Sequence, residues 1–317
     1  MVLLFLFSSC QGGEASASVA RLKFSAPQSS NTFLAGLPVP PEQILWFCDY
    51  EDRSFSKWEG KGQNDANAGG GIFITDETNT EYGIESSIVH SGNYSAYATI
   101  KNARFPTLPK AIRFMRWTDK PWYEDGDYFP EAAYYSTFFY MKDTYDPQKD
   151  PDNDPEGDGG WWNIFQFKSN NNAGSQPLVV LDLYNKDGKM YLGLVIKDYP
   201  DDHSSHYQFR YILSDSPVPV EPAKWNHIEV YYKKSKNYDG EVIVWQNSIQ
   251  IFEQKDIRTV LPQDETAKWG IGNYTDYVTG GAIPGTATIY LDDSIVSSVR
   301  ISQYLFRERI FLPLLRR

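Results

Sequence analysis

The feature that most constrains this chain is the spacing of its apolar runs. Between about residues 44 and 301, short stretches rich in Val, Ile, Tyr, Phe and Trp recur, each bounded by Gly, Pro, Asn or Asp. Runs this short and this regularly punctuated read as strands. The clearest lie at 71–75, 95–101, 134–142, 161–168, 178–184, 190–197, 207–213, 225–233, 241–246, 268–274 and 286–292. Helical periodicity is almost absent, and so is the strand–helix alternation that builds parallel sheets. The NKDG run at 185–188 and the NYDG run at 237–240 predict hairpins, because Asp-Gly tolerates the positive φ of tight connections. About a dozen strands so spaced predict an all-β fold, a β-sandwich or jelly roll of two antiparallel sheets.

One such sandwich accounts for residues 42–302 of the 317-residue chain. Residues 1–10 form a short apolar run ending in small residues and Cys10, similar to a bacterial lipoprotein signal in which that cysteine carries the lipid anchor. The positively charged start typical of such signals is missing. Residues 11–41 are rich in Ser, Ala, Gly, Asn and Pro and read as a tether, which closes the N-terminal segment 1–41. Residues 303–317 form a tail of apolar residues among arginines. The expectation is a secreted protein or an outer-surface lipoprotein of a bacterium. No run elsewhere approaches the ~18–20 apolar residues of a transmembrane helix. Cys10 and Cys48 are the only cysteines, so no disulfide framework supports the fold.

A net charge of −11 argues against nucleic acid as a partner, since phosphates demand a basic footprint. The 9 Trp and 22 Tyr exceed what a core alone requires. Such side chains stack on sugar rings, and they also fill the space between sheets. Strict alternation along 161–168 places Asn163, Phe165 and Phe167 on one face and Trp162, Ile164, Gln166 and Lys168 on the other. The second face offers an amide and an ammonium beside a tryptophan. It reads equally as a ligand floor or as the wet face of an antiparallel sheet.

Six segments carry a family resemblance: EAAYYSTFFYM at 131–141, WWNIFQFK at 161–168, WNHIEVYYK at 225–233, GEVIVWQN at 240–247, WGIGNY at 269–274 and IYLDD at 289–293. In order and spacing they resemble the concanavalin A-like jelly-roll polysaccharide lyases, the group of heparin lyase I, glucuronan lyase and alginate lyases. The resemblance implies β-elimination on a uronate-containing polysaccharide. That reaction neutralises the uronate carboxylate, removes the C5 proton and protonates the departing O4. Gln166 matches the glutamine of the family's Gln-x-His strand, and Tyr274 the tyrosine of its late strand. Lys168 stands where the histidine is expected. An ordinary lysine is protonated at neutral pH and is a poor base unless desolvated. It then serves as carboxylate neutraliser, with Tyr274 as both base and acid if neighbouring cations lower its pKa. Arg113 and Arg116 are candidates for those cations, but their spacing puts them on opposite faces of a regular strand. Trp162, Asn163 and Tyr277 complete the candidate sugar-binding set.

Other clusters point less far. His203 and His206 sit in a polar loop, and His227 alternates with Glu229 on a strand. The run from Asp150 to Asp158 places acidic residues at alternate positions, which suits calcium, the one cofactor the sequence offers. It lacks EF-hand spacing, so a solvated acidic loop is the default reading and no cofactor is expected. The Glu-x-Asp-x-x-Glu strand of laminarinase-type jelly rolls is absent, and the nearest run, Leu181-Asp182-Leu183, lacks its partners, which counts against a glycoside hydrolase. Two classes of function stand: a lyase acting on an acidic polysaccharide, centred on Gln166, Lys168 and Tyr274, and a non-catalytic carbohydrate-binding or adhesion module on the same fold.

Overall fold

The computed structural model describes residues 39–58, 70–104, 109–117, 130–147, 160–171, 174–199, 208–262, 264 and 266–305. Cys10, the tether up to residue 38, the acidic loop at 150–158, His203, His206 and the tail from 306 lie outside the described residues.

In chain order the strands are β1 (Ile44–Cys48), β2 (Gly70–Ile74), β3 (Thr80–Glu85), β4 (Ser95–Ile100), β5 (Lys110–Trp117) and β6 (Ala132–Met141). There follow β7 (Tyr145–Asp146), β8 (Trp162–Asn171), β9 (Gly174–Lys186), β10 (Lys189–Asp198), β11 (Gln208–Ile212) and β12 (Trp225–Lys233). The last are β13 (Gly240–Gln246), β14 (Ile249–Ile257), β15 (Thr266–Thr275), β16 (Thr279–Gly280) and β17 (Ala287–Ser297), before a single helical turn, α1 (Ser302–Leu305). They form two antiparallel sheets. The back sheet runs β14-β13-β12-β6-β17-β4-β3, with β1 also on β17; the front sheet runs β11-β10-β9-β8-β15-β5-β2.

All eleven predicted runs are strands. The sequence reading passes over β14, whose IQIFEQKDI lacks a clean apolar run because it is the edge of its sheet and largely exposed. NKDG makes a two-residue turn, with Asp187 and Gly188 both at positive φ and Asn185 Oδ1 accepting the Gly188 N–H at 3.1 Å. NYDG instead ends a longer loop between β12 and β13, folded around the Ser235 hydroxyl.

Much of the aromatic content lies between the sheets. Trp46, Trp58, Trp162 and Trp269 are each at most 5% exposed, and the Phe167 and Tyr232 rings stack across the layers at 3.8 Å. Burial of such rings is the main source of stability in a fold without a disulfide framework.

A polar tie crosses this core. Asn273 on β15 is fully buried. Its amide donates to the carbonyls of Ala98 and Ala287, on β4 and β17 of the back sheet, at 3.0 and 2.9 Å. Its oxygen accepts the Trp162 indole N–H at 2.9 Å. One side chain therefore links both sheets and fixes the start of β8. Asn273→Ala leaves three buried polar groups unpaired, a cost of about 3 kcal/mol or more. Thermal unfolding is expected to occur roughly 10 °C lower in this variant.

Candidate active site

The outer face of the front sheet is set by a break in register. Tyr274 pairs with Asn163 and Ile271 with Phe165, so Gly272 and Asn273 stand opposite Ile164 alone. On the other side, Asn163 and Phe165 pair with the consecutive residues Asp182 and Leu181 of β9, so Ile164 is an extra residue there. An extra residue switches the faces of everything beyond it. This corrects the strict alternation: Trp162 points into the core, 0% exposed, and Asn163 joins Gln166 and Lys168 on the outer face. Only glycine suits position 272, where φ is +138° and a Cβ would stand 2.2 Å from the Ile112 carbonyl oxygen.

The two arginines part as their spacing requires. Arg113 lies opposite Gly272 and Arg116 opposite Trp269, on opposite faces of β5. Arg113 reaches across bare Gly272 to donate to Asn163 Oδ1 at 3.1 Å, its guanidinium 5.2 Å from the Tyr274 ring centre. Arg116 turns inward over the Trp46 ring at 5.0 Å and donates to the Lys57 carbonyl. Arg116 and Trp162, both candidate sugar-binding residues, therefore do not reach the outer face. Tyr277 lies past the end of β15, in a turn closed by the Thr275 hydroxyl. Gln166, 3% exposed, packs with Met115 over Gly270 and floors the recess. Trp161 meets the Tyr274 ring edge-on at 4.6 Å.

One central residue is set aside by sequence reasoning. Asp182 on β9 accepts a hydrogen bond from the Asn163 amide, and Tyr211 lies across Gly193 beside it. Its neighbours in LDL at 181–183 are apolar, so it reads as a lone acid in a strand. The Asn163 amide is thus held from both ends, its oxygen toward Arg113 and its nitrogen toward Asp182.

Burial dominates the electrostatics. Arg113 is 1% exposed, and its Nε and Nη1 have no hydrogen-bond partner among the described residues. Desolvation draws its pKa down to about 10. Lys168 is drawn down to about 8, by burial first and then by the Arg113 and Lys197 charges. Burial pushes Asp182 up to about 7, against Lys197, Arg113 and the Asn163 hydrogen bond. Tyr274 is raised as well, since burial outweighs the opposing Arg113 charge. The expected lowering of Tyr274 by cations is therefore not what the recess provides. Among the described residues no group of three or more His, Cys, Asp or Glu is disposed to hold a metal ion.

His227 is fully buried on the back sheet, against Phe138 at 4.5 Å, and neither ring nitrogen has a partner among the described residues. It is remote from the recess and belongs to the packing.

Because the folded pKa of Asp182 lies above its unfolded value, its favourable contribution is complete below about pH 4 and is lost as pH rises through about 7. Asp182→Asn is thus expected to raise Tm relative to the parent above pH 7, the difference vanishing below about pH 4. Parallel melts across that range check it.

The polysaccharide lyase family profile matches residues 53–294. No curated protein matches the chain. Among solved structures, the endo-β-1,4-glucuronan lyase of the fungus Trichoderma reesei is similar at 16% identity, covering 72% of this chain and 90% of that one, with a TM-score of 0.52. The cellulose-induced protein Cip1 shares 12% identity over 81% of this chain and 98% of its own, with a TM-score of 0.46. The PL-14 alginate lyase of Aplysia kurodai shares 12% over 81% and 99%, with a TM-score of 0.45. The fold is the concanavalin A-like jelly roll. With about three quarters of its length matched by the profile, the chain belongs to the polysaccharide lyase family.

Proposed function

We propose that the recess catalyses β-elimination on a uronate-containing polysaccharide. The observation that carries this reading is Arg113: a buried guanidinium with two nitrogens unpartnered among the described residues, beside a second, partly buried cation, Lys168. Buried charge without a partner is costly. A planar carboxylate is the ligand whose geometry completes a guanidinium bidentately, and the Asn163 amide is held alongside it.

In this reading Arg113 and Asn163 grip the uronate carboxylate and acidify the C5 proton. Neutral Lys168 takes that proton. The C5–H electrons form the C4–C5 double bond, the C4–O4 bond breaks, and the Tyr274 phenol gives its proton to O4. The pKa directions support these roles: Lys168 lies low enough to be a base near pH 8, and Tyr274 stays protonated as the acid. Gln166 sits between them on the same face as a hydrogen-bonding floor. We further infer export, supported by the apolar run ending at Cys10, because a polymer substrate lies outside the cell.

Incubation with alginate, glucuronan and heparin-type chains is expected to release products with an unsaturated uronate end, read by ultraviolet absorbance. The rate should rise through about pH 8 as Lys168 deprotonates. Lys168→Arg and Tyr274→Phe should each lower kcat roughly 10²–10⁴-fold. Retention on a polyuronate gel with no unsaturated product from any of these chains would sink the catalytic reading in favour of a binding module.

A further inference from the structure

The front sheet carries more than the recess. At the level of Lys168 a row of cations crosses it. Lys268 pairs with Lys168 across β15 and β8, and Lys197 pairs with Phe209 across β10 and the edge strand β11. Lys197 belongs to the same neighbourhood, because its charge acts on both Lys168 and Asp182. Strands lie about 4.8 Å apart, so three spacings place Phe209 about 14 Å from Lys168.

Beyond Lys197 the edge opens into a cavity of about 170 Å³ whose lining includes Lys197, Phe209, Arg210, Tyr238, Asp256 and Arg258. It forms where β11 meets the β12–β13 loop and the end of β14, so both sheets contribute. Phe209 and Tyr238 are 49% and 53% exposed. Single exposed apolar side chains are ordinary, but Tyr238 is held in place. The Arg258 guanidinium lies 4.7 Å from its ring centre, and its hydroxyl donates to Asp198 at 3.3 Å. A half-exposed ring fixed at its face and its tip is preorganised, so less conformational entropy is lost when a ligand stacks on it. Among the described residues of the lining, three cations (Lys197, Arg210, Arg258) stand against two acids (Asp198, Asp256), on a chain whose net charge is −11.

We propose that this edge pocket is a distal subsite for the same anionic polysaccharide, with Phe209 and Tyr238 stacking on sugar rings and Lys197 and Arg258 facing uronate carboxylates. It rests on the reading of the recess as the uronate site. A chain held at Arg113 and Lys168 then leaves the recess over Lys197 and reaches the pocket several sugars away. Short fragments fill the recess alone, and longer ones gain the edge contacts.

The test uses the full chain with Phe209→Ala, Tyr238→Ala and the double substitution, all at half-exposed positions. Affinity electrophoresis in gels containing alginate or glucuronan, in the Tyr274→Phe background, reads polymer binding separately from cleavage. Polymer affinity is expected to fall at least fivefold in the double variant, and competition by size-fractionated oligouronates should show the loss shrinking as the chain shortens. Unchanged polymer affinity, or an equal loss at every chain length, overturns the subsite. Failure of the recess reading shows elsewhere, as absence of unsaturated product from the protein with Tyr274 intact.

Discussion

The site depends on one irregularity in the β8–β15 ladder. The extra backbone around Ile164, Gly272 and Asn273 changes which side chains face out. In a regular ladder Asn163 would share a face with Phe165 and Phe167, which fill the core. The break turns Asn163 outward onto the face of Lys168 and Tyr274, and Trp162 inward. Asn273 then holds the inward half, tying the Trp162 indole to two carbonyls of the back sheet. Bare Gly272 leaves the space through which Arg113 reaches Asn163. A bulge beside a site commonly re-aims a side chain in this way; here it re-aims an amide and makes room for a guanidinium.

That geometry assembles cations where the overall charge would not place them. The chain is strongly acidic, yet the charges of Arg113 on β5 and Lys197 on β10 both act on Lys168. The nearest acid, Asp182, is pushed by burial toward its neutral form and engages the Asn163 amide. Asp182 therefore offers Arg113 and Lys168 little neutralisation. Such an arrangement persists in a stable fold only if the aromatic core supplies a surplus, and the stacked and edge-on rings between the sheets are where that surplus lies.

The sandwich was legible because a half-buried strand writes its burial into period-two alternation and its ends into Gly, Asn and Asp. Edge strand β14 left no such record because both of its faces are largely wet. At the candidate site, the resemblance pointed to Gln166, Lys168 and Tyr274, which the fold places on one outer face, and spacing alone separated Arg113 from Arg116. Trp162 was misassigned because periodicity cannot see a bulge, although the Gly-x-Gly-Asn run at 270–273 is a signal that one is near. Asp182 carried no local signal, since its role arises from neighbours on β8, β5 and β10 that only the fold brings together.

The lysine at position 168 shows why residue type and environment must be read jointly. Burial and nearby cations lower the pKa of any cationic acid, and this protein displays the effect on imidazoles: His227 is drawn down to about 3 and His90 to about 4, both chiefly by burial. A histidine subject to desolvation on that scale would be neutral but a feeble base. Lysine starts about four units higher, so the same kind of environment brings it to about 8, where a useful fraction is neutral and still strongly basic. In a recess crowded by Arg113 and Lys197, the residue that departs from the Gln-x-His pattern is drawn toward the neutral form that the proposed proton abstraction needs.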